Sequence, residues 1–240
     1  MDNSSIFKMC HSNREELMPL KDLNNKEYEE LIIKNGLDIN KFYKVEGKFH
    51  PYCYMNNTIY VEVYSFNESD FNNLRVKEVI EKREQMHKKC IENKDYERLF
   101  IYIDKPYRIE WYVKLFNKIP NDKKYEIFRD IYSSMEYGFD NIDRQFLEKI
   151  FKYNNLDREQ FDDITTIYRG ETEESTPYDY AYSWTTDLKT AQWFANRFNS
   201  DGVVYKGYVK KEHILDYITD RKEYEILVYP ENVFDVELFE

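Results

Sequence analysis

Apolar residues recur at helical spacing through the middle of the chain and at strand spacing through its last third. Residues 26–35 read as a short helix stopped by Gly36, and 58–66 (TIYVEVYSF) as a strand rich in β-branched and aromatic residues. A charged, weakly amphipathic helix is predicted over 76–93. Pro106 suits a first helical turn, and Ile109, Tyr112, Leu115 and Phe116 then form one apolar face. Pro120 breaks that helix. The next buries Tyr125, Phe128, Ile131 and Tyr132, and another after Asp143 buries Phe146, Leu147, Ile150 and Phe151. These stripes are core, not a cofactor box.

After Asn155 the pattern changes. Strands are predicted over 164–169, 182–185, 203–209, 214–218, 224–229 and 233–238. One helix interrupts them: Asp187 caps it, it runs to residue 198 with Trp193 and Phe194 as core, and Gly202 follows its end. Helices first and strands later predict an α+β fold. The expected division is an accessory mixed α/β region over 1–104, which recognises a target or restrains the rest, and a domain over 105–240. The latter comprises helices over 106–155 and a strand-rich core over 164–239.

A chain of 240 residues can bury a real core, and 18% aromatic residues argue against disorder because they supply ample area to bury. No stretch approaches the roughly 18 apolar residues of a membrane span, and no signal peptide is visible at the start. Three cysteines at 10, 53 and 90 suit a reducing cytoplasm, native or that of a host, better than a disulfide scaffold. The net charge of −11 is uneven: residues 156–240 hold 9 Lys+Arg against 19 Asp+Glu, a net of −10. Such a field repels phosphate backbones and attracts basic surfaces, which makes nucleic acid a less favoured partner than a basic protein.

Three short motifs carry candidate chemistry. Glu223 and Glu225 flank Tyr224, and strand alternation would put both carboxylates on one face. Upstream lie Tyr168-Arg169-Gly170 and Ser183-Trp184-Thr185-Thr186. An arginine fork can hold phosphate oxygens bidentately, and a following glycine allows close approach to the backbone. The bland alternative for Arg169 is an ion pair with Glu171, Glu173 or Glu174. Tyr178, Tyr180 and Tyr182 lie in the loop before Ser183, where one could stack on a ligand. Two His-x-x-Cys pairs, at His50/Cys53 and His87/Cys90, and the adjacent Cys10-His11 are of the residue types that bind zinc. No Cys-x-x-Cys knuckle accompanies them, and no metal is expected.

In this order, arginine then serine-threonine then Glu-x-Glu, the chain resembles the mono-ADP-ribosyltransferases of the arginine-serine-glutamate class, over roughly residues 164–239. The resemblance implies a helical part packed on two small, mainly antiparallel sheets, with NAD as substrate in the cleft between them. It implies that Arg169 holds the NAD phosphates and ribose, and that the backbone at Gly170 meets the nicotinamide amide. Ser183 would orient Glu225, the glutamate that stabilises the ribosyl cation, and Glu223 would meet the acceptor, most simply a protein arginine. Trp184 and Thr185 replace the usual Thr and Ser of the family's Ser-Thr-Ser, so Trp184 either fills core or walls the nicotinamide pocket, and Thr185 remains a hydrogen-bond donor. The same set could instead modify a small molecule or nucleic acid, hydrolyse NAD, or persist in a binding module without turnover.

Overall fold

The computed structural model describes residues 16–46, 51–63, 76–135, 139, 142–197, 201–219 and 221–239. It is α+β, with two antiparallel sheets and seven α-helices among the described residues. The chain divides into two compact units, 1–141 and 142–240.

In the first unit, strands β1 (Glu16–Pro19), β2 (Phe42–Glu46), β3 (Tyr52–Asn56) and β4 (Ile59–Val63) form a meander in that order. Asn57, at φ 57, makes the turn of the β3–β4 hairpin. Helix α1 (Lys26–Lys34) starts where the Asn25 side chain accepts from the Tyr28 amide. Its Leu31 and Ile32 pack with Phe42, Tyr54, Ile59 and Val63. Helices α2 (Val76–Asn93), α3 (Tyr96–Tyr102), α4 (Arg108–Leu115) and α5 (Asn121–Ser133) follow. Tyr112 is fully buried, makes edge contacts with Phe100 and Phe116, and donates its hydroxyl to Lys124 O at 2.7 Å.

The helices over 106–133 were expected to belong with the strand-rich region. They fall in the first unit, and a polar network explains why. The Asp104 carboxylate accepts from the Tyr60 amide at 2.8 Å and pairs with Arg83. Buried His87 bridges the Thr58 hydroxyl (2.7 Å) and the Tyr102 carbonyl (2.9 Å), and the Trp111 indole donates to Asn57 O. Satisfying these groups ties the helices to the β3–β4 hairpin. His50, Cys10 and His11 lie outside the described residues, and Cys53 and Cys90 are buried.

The second unit contains helix α6 (Arg144–Phe151) and strands β5 (Ile164–Glu171), β6 (Ser183–Thr185), β7 (Val203–Lys210), β8 (Ile214–Ile218), β9 (Glu225–Val228) and β10 (Val233–Leu238). Helix α7 (Leu188–Ala195) follows β6, capped by the Asp187 carboxylate. The strands form one sheet in the order β10-β7-β5-β6-β9-β8, where two small sheets were expected. It is nevertheless nearly two, because β5 meets β6 through the single pair Tyr168↔Thr185 while every other ladder is longer. One face packs Ile167, Trp184, Val209 and Ile226 into a core. The opposite face, at Tyr168, Gly170 and Val204, is covered by Ala191 and Ala195 of α7. Trp193, expected as core, points outward at 58% exposure, because α7 buries only the stripe at 191 and 195. Among the described residues no helix is long and apolar enough to cross a membrane.

Candidate active site

Strand β6 is three residues long and organises the site. Thr185 pairs with Glu225, Trp184 with Ile226 and Ser183 with Leu227. This register sets Ser183 diagonally across from Glu225, within reach of a short side chain. The Ser183 hydroxyl donates to Glu225 Oε1 at 2.5 Å, and Glu225 is only 7% exposed. A carboxylate so withdrawn from water depends on such donors.

Arg169 reaches the same serine from the other side of the seam. Its Nη1 donates to Ser183 O at 2.8 Å and its Nη2 to Thr176 O at 2.6 Å. The guanidinium thus does for β5 and β6 what a longer ladder would do. Thr176 is presented by a tight turn in which the Thr172 amide donates to Ser175 Oγ and the Ser175 amide to Thr172 O. Glu171, two residues along the strand and therefore on the Arg169 face, brings Oε2 to 3.9 Å from Arg169 Nε. Burial pushes the Glu171 carboxyl up from its ordinary range, against the opposing pull of Arg169 and of a backbone hydrogen bond from Tyr178, with Asp179 adding to the rise. Tyr178 and Tyr205 pack ring to ring beside it, centroids 4.5 Å apart. The pairing of Arg169 with Glu171 was the bland alternative, and it coexists with the bonds to Ser183 and Thr176.

One expectation is corrected at the acidic motif. Glu223 and Glu225 do not share a strand face, because the strand begins only at Glu225. Tyr224 is left-handed at φ 49, as is Lys222 at φ 58, so alternation does not run through the motif. The twist is held by the Thr185 hydroxyl, which donates to Glu223 O at 2.6 Å, and by the Thr186 amide, which donates to Tyr224 O. Thr185 also accepts from the Asp187 amide at 3.0 Å, so its hydroxyl is spent on the backbone of the loop and the start of α7. Tyr224 projects outward, 41% exposed.

Trp184 fills core. It is buried on the face opposite the Tyr168–Gly170 side, next to Ile167 and Ile226. At Gly170 the space a β-carbon would take is filled by α7, with Ala191 O 1.9 Å and Ala195 N 2.6 Å away. The glycine serves helix-on-strand packing on that side, where close approach of a ligand was expected. Among the loop tyrosines, Tyr178 packs on Tyr205, Tyr182 makes an edge contact with Tyr229, and Tyr180 is exposed.

Sequence reasoning passed over Arg221. Its Nη2 sits 2.9 Å from Glu223 Oε2. The available signal was its position two residues before the first acid of the motif. Among the described residues no three His, Cys, Asp or Glu side chains gather as a metal set. Comparison with protein-family models, with curated proteins and with solved structures found no match.

Proposed function

We propose that the second unit is a mono-ADP-ribosyltransferase that uses NAD as substrate and modifies a cationic acceptor, most simply a protein arginine. The observation that carries this reading is Ser183, which binds Glu225 through its hydroxyl and Arg169 through its carbonyl. Three residues widely separated in sequence, and of the types the chemistry needs, thereby meet at one point.

Breaking the nicotinamide–ribose bond builds an oxocarbenium-like cation, as in glycoside hydrolysis. A preorganised carboxylate beside the ribose stabilises that charge, and Glu225, held at 2.5 Å by Ser183, is built for the role. Arg169, whose guanidinium is bound to Ser183 O and Thr176 O, supplies a fixed positive charge at the same serine, which suits the NAD phosphates. Glu223 is partly exposed at the head of the motif, where an incoming nucleophile can reach it. The net charge of −10 over residues 156–240 favours a basic acceptor over nucleic acid.

The test is incubation of the purified chain with NAD and agmatine, reading nicotinamide release and ADP-ribosylagmatine by mass spectrometry. Glu225→Gln should lose both products, since both pass through the same cation. Glu223→Gln should keep nicotinamide release and lose agmatine labelling. Equal loss of both products in both variants would refute the division of labour. Labelling of nucleic acid with none on agmatine would overturn the acceptor assignment.

A further inference from the structure

Glu171 ends β5 two residues after Arg169, with its Oε2 3.9 Å from Arg169 Nε. The glutamate side chain is only 16% exposed. Oε2 is sealed from water, and among the described residues no hydrogen-bond donor reaches it. The titratable and charged groups that face this carboxyl come from three elements. Arg169 lies on its own strand, Tyr178 and Asp179 lie in the loop before β6, and Tyr205 lies on β7. Tyr178 and Tyr205 pack ring to ring, and burial, then the charge of Glu171, push the Tyr205 hydroxyl up. Arg169 is the only cation in this set. Burial favours the neutral carboxyl most strongly, and Arg169 is the largest influence against it. The arginine proposed to hold NAD is therefore also the group on which the charge of Glu171 depends.

We infer that NAD binding is coupled to proton uptake at Glu171: as the pyrophosphate settles on Arg169, the Glu171 carboxylate becomes a carboxylic acid. This rests on the transferase reading above, in which Arg169 holds the NAD phosphates. The pyrophosphate brings two negative charges to a guanidinium that until then balanced one carboxylate. A like charge close by disfavours the ionised form of an acid, and a partly buried site screens it little. The proton comes from solvent and forms only the carboxyl O–H bond. By reciprocity, if NAD favours the protonated acid, the protonated acid favours NAD. Affinity for NAD therefore falls as pH rises through the interval in which Glu171 titrates. Below that interval the carboxyl is neutral with or without NAD. Above it, bound pyrophosphate shares Arg169 with a carboxylate. Glu171 thereby sets the pH range over which NAD is held.

The experiment titrates the purified full chain with NAD by calorimetry from about pH 4 to about pH 8, a range spanning the ordinary and raised glutamate values. Two buffers of different ionisation enthalpy are used at each pH, so that the protons taken up are counted directly. Nicotinamide release is followed in parallel to separate binding from turnover. The expected result is a Kd about tenfold larger at the alkaline end, with a proton uptake that peaks near about half a proton per NAD, as a displacement of about one pH unit requires. Glu171→Gln should bind NAD without this uptake and without the alkaline weakening. Asp179→Asn, at an exposed position, removes a charge that raises the Glu171 carboxyl and should move the uptake to lower pH. NAD binding with no proton uptake, or with an uptake that persists in Glu171→Gln, would overturn this inference and leave the transferase reading standing. Absence of both NAD binding and nicotinamide release at every pH would overturn both.

Discussion

The Ser183 hydroxyl donates to Glu225 Oε1 at 2.5 Å across two neighbouring strands. Because the serine's carbonyl is simultaneously held by Arg169, a change at either residue is felt at the carboxylate. The site behaves as one linked unit, and each link can be cut separately.

Ser183→Ala removes the donor and leaves the carboxylate of Glu225 buried beside a methyl group. A hydrogen bond to a charged group contributes about 1.5–3 kcal/mol, and the desolvation of Glu225 remains after its loss. Thermal unfolding should begin roughly 4–8 °C lower per kcal/mol lost from a unit of this size. Nicotinamide release should fall about a hundredfold, as expected when a catalytic group loses its orientation. A variant that melts like wild type and releases nicotinamide at the wild-type rate would show that the bond does not orient Glu225.

Arg169→Lys keeps the charge and loses the fork. One ammonium cannot span Ser183 O and Thr176 O as Nη1 and Nη2 do. With only the Tyr168↔Thr185 pair left between β5 and β6, the seam should loosen, at a cost of about 1.5–3 kcal/mol. Amide hydrogen exchange at residues 183–185 should accelerate by the corresponding factor, and NAD affinity measured by calorimetry should drop. Unchanged exchange at these amides would mean the guanidinium does not hold the seam.

Much of this arrangement was legible in the sequence where the determinants are local. The β-branched and aromatic runs of β5 and β7, and the Asp187 cap of α7, each announce themselves within a few residues. The site failed to read through where one backbone conformation or one distant partner decides. Tyr224 at φ 49 cancels the alternation that would have aligned Glu223 with Glu225, and nothing in Glu-Tyr-Glu predicts a left-handed tyrosine. The bond beside it comes from the Thr185 hydroxyl, which donates to Glu223 O from thirty-eight residues away along the chain. The unit boundary depends likewise on Asp104 and His87 reaching back to Tyr60 and Thr58, contacts with no local signature. Strands β1, β2 and β3 were missed because they are only four to five residues long and interrupted by Lys, Glu and Asn, below what alternation resolves.

Gly170→Ala should be among the most damaging single substitutions in the second unit. The new β-carbon would lie 1.9 Å from Ala191 O and 2.6 Å from Ala195 N, both backbone atoms of α7 that cannot rotate away. Overpacking of this kind costs about 3 kcal/mol or more, the upper end for an added methyl group. Gly36→Ala is the control, since its β-carbon meets only Lys77 Nζ at 3.7 Å and the cost is the left-handed φ of 70°, about 1–2 kcal/mol. Denaturant unfolding of both variants checks the order, and a Gly170→Ala protein no less stable than Gly36→Ala would contradict the close packing of α7 on β5.

Glu171→Gln tests the electrostatics beside Arg169. Glu171 is pushed up from its ordinary range chiefly by burial, and Asp179 adds to the rise, while Arg169 and the Tyr178 backbone oppose it. A raised carboxyl pKa means the folded state binds a proton more readily than the unfolded chain. Stability therefore falls as pH rises through the interval between the unfolded value, about 4.3, and the raised folded value. Above that interval the wild type carries the full cost of an ionised, partly buried carboxylate, whereas glutamine carries none. Glu171→Gln should accordingly melt higher than wild type at pH 7–8, and the difference should shrink toward zero as the pH drops below the ordinary glutamate range, where Glu171 is protonated in both states. The measurement is a pair of melting curves collected across that range. If the glutamine variant is the less stable one at neutral pH, the attraction between Glu171 and Arg169 at 3.9 Å outweighs burial, and Glu171 is then a stabilising partner of the site's arginine.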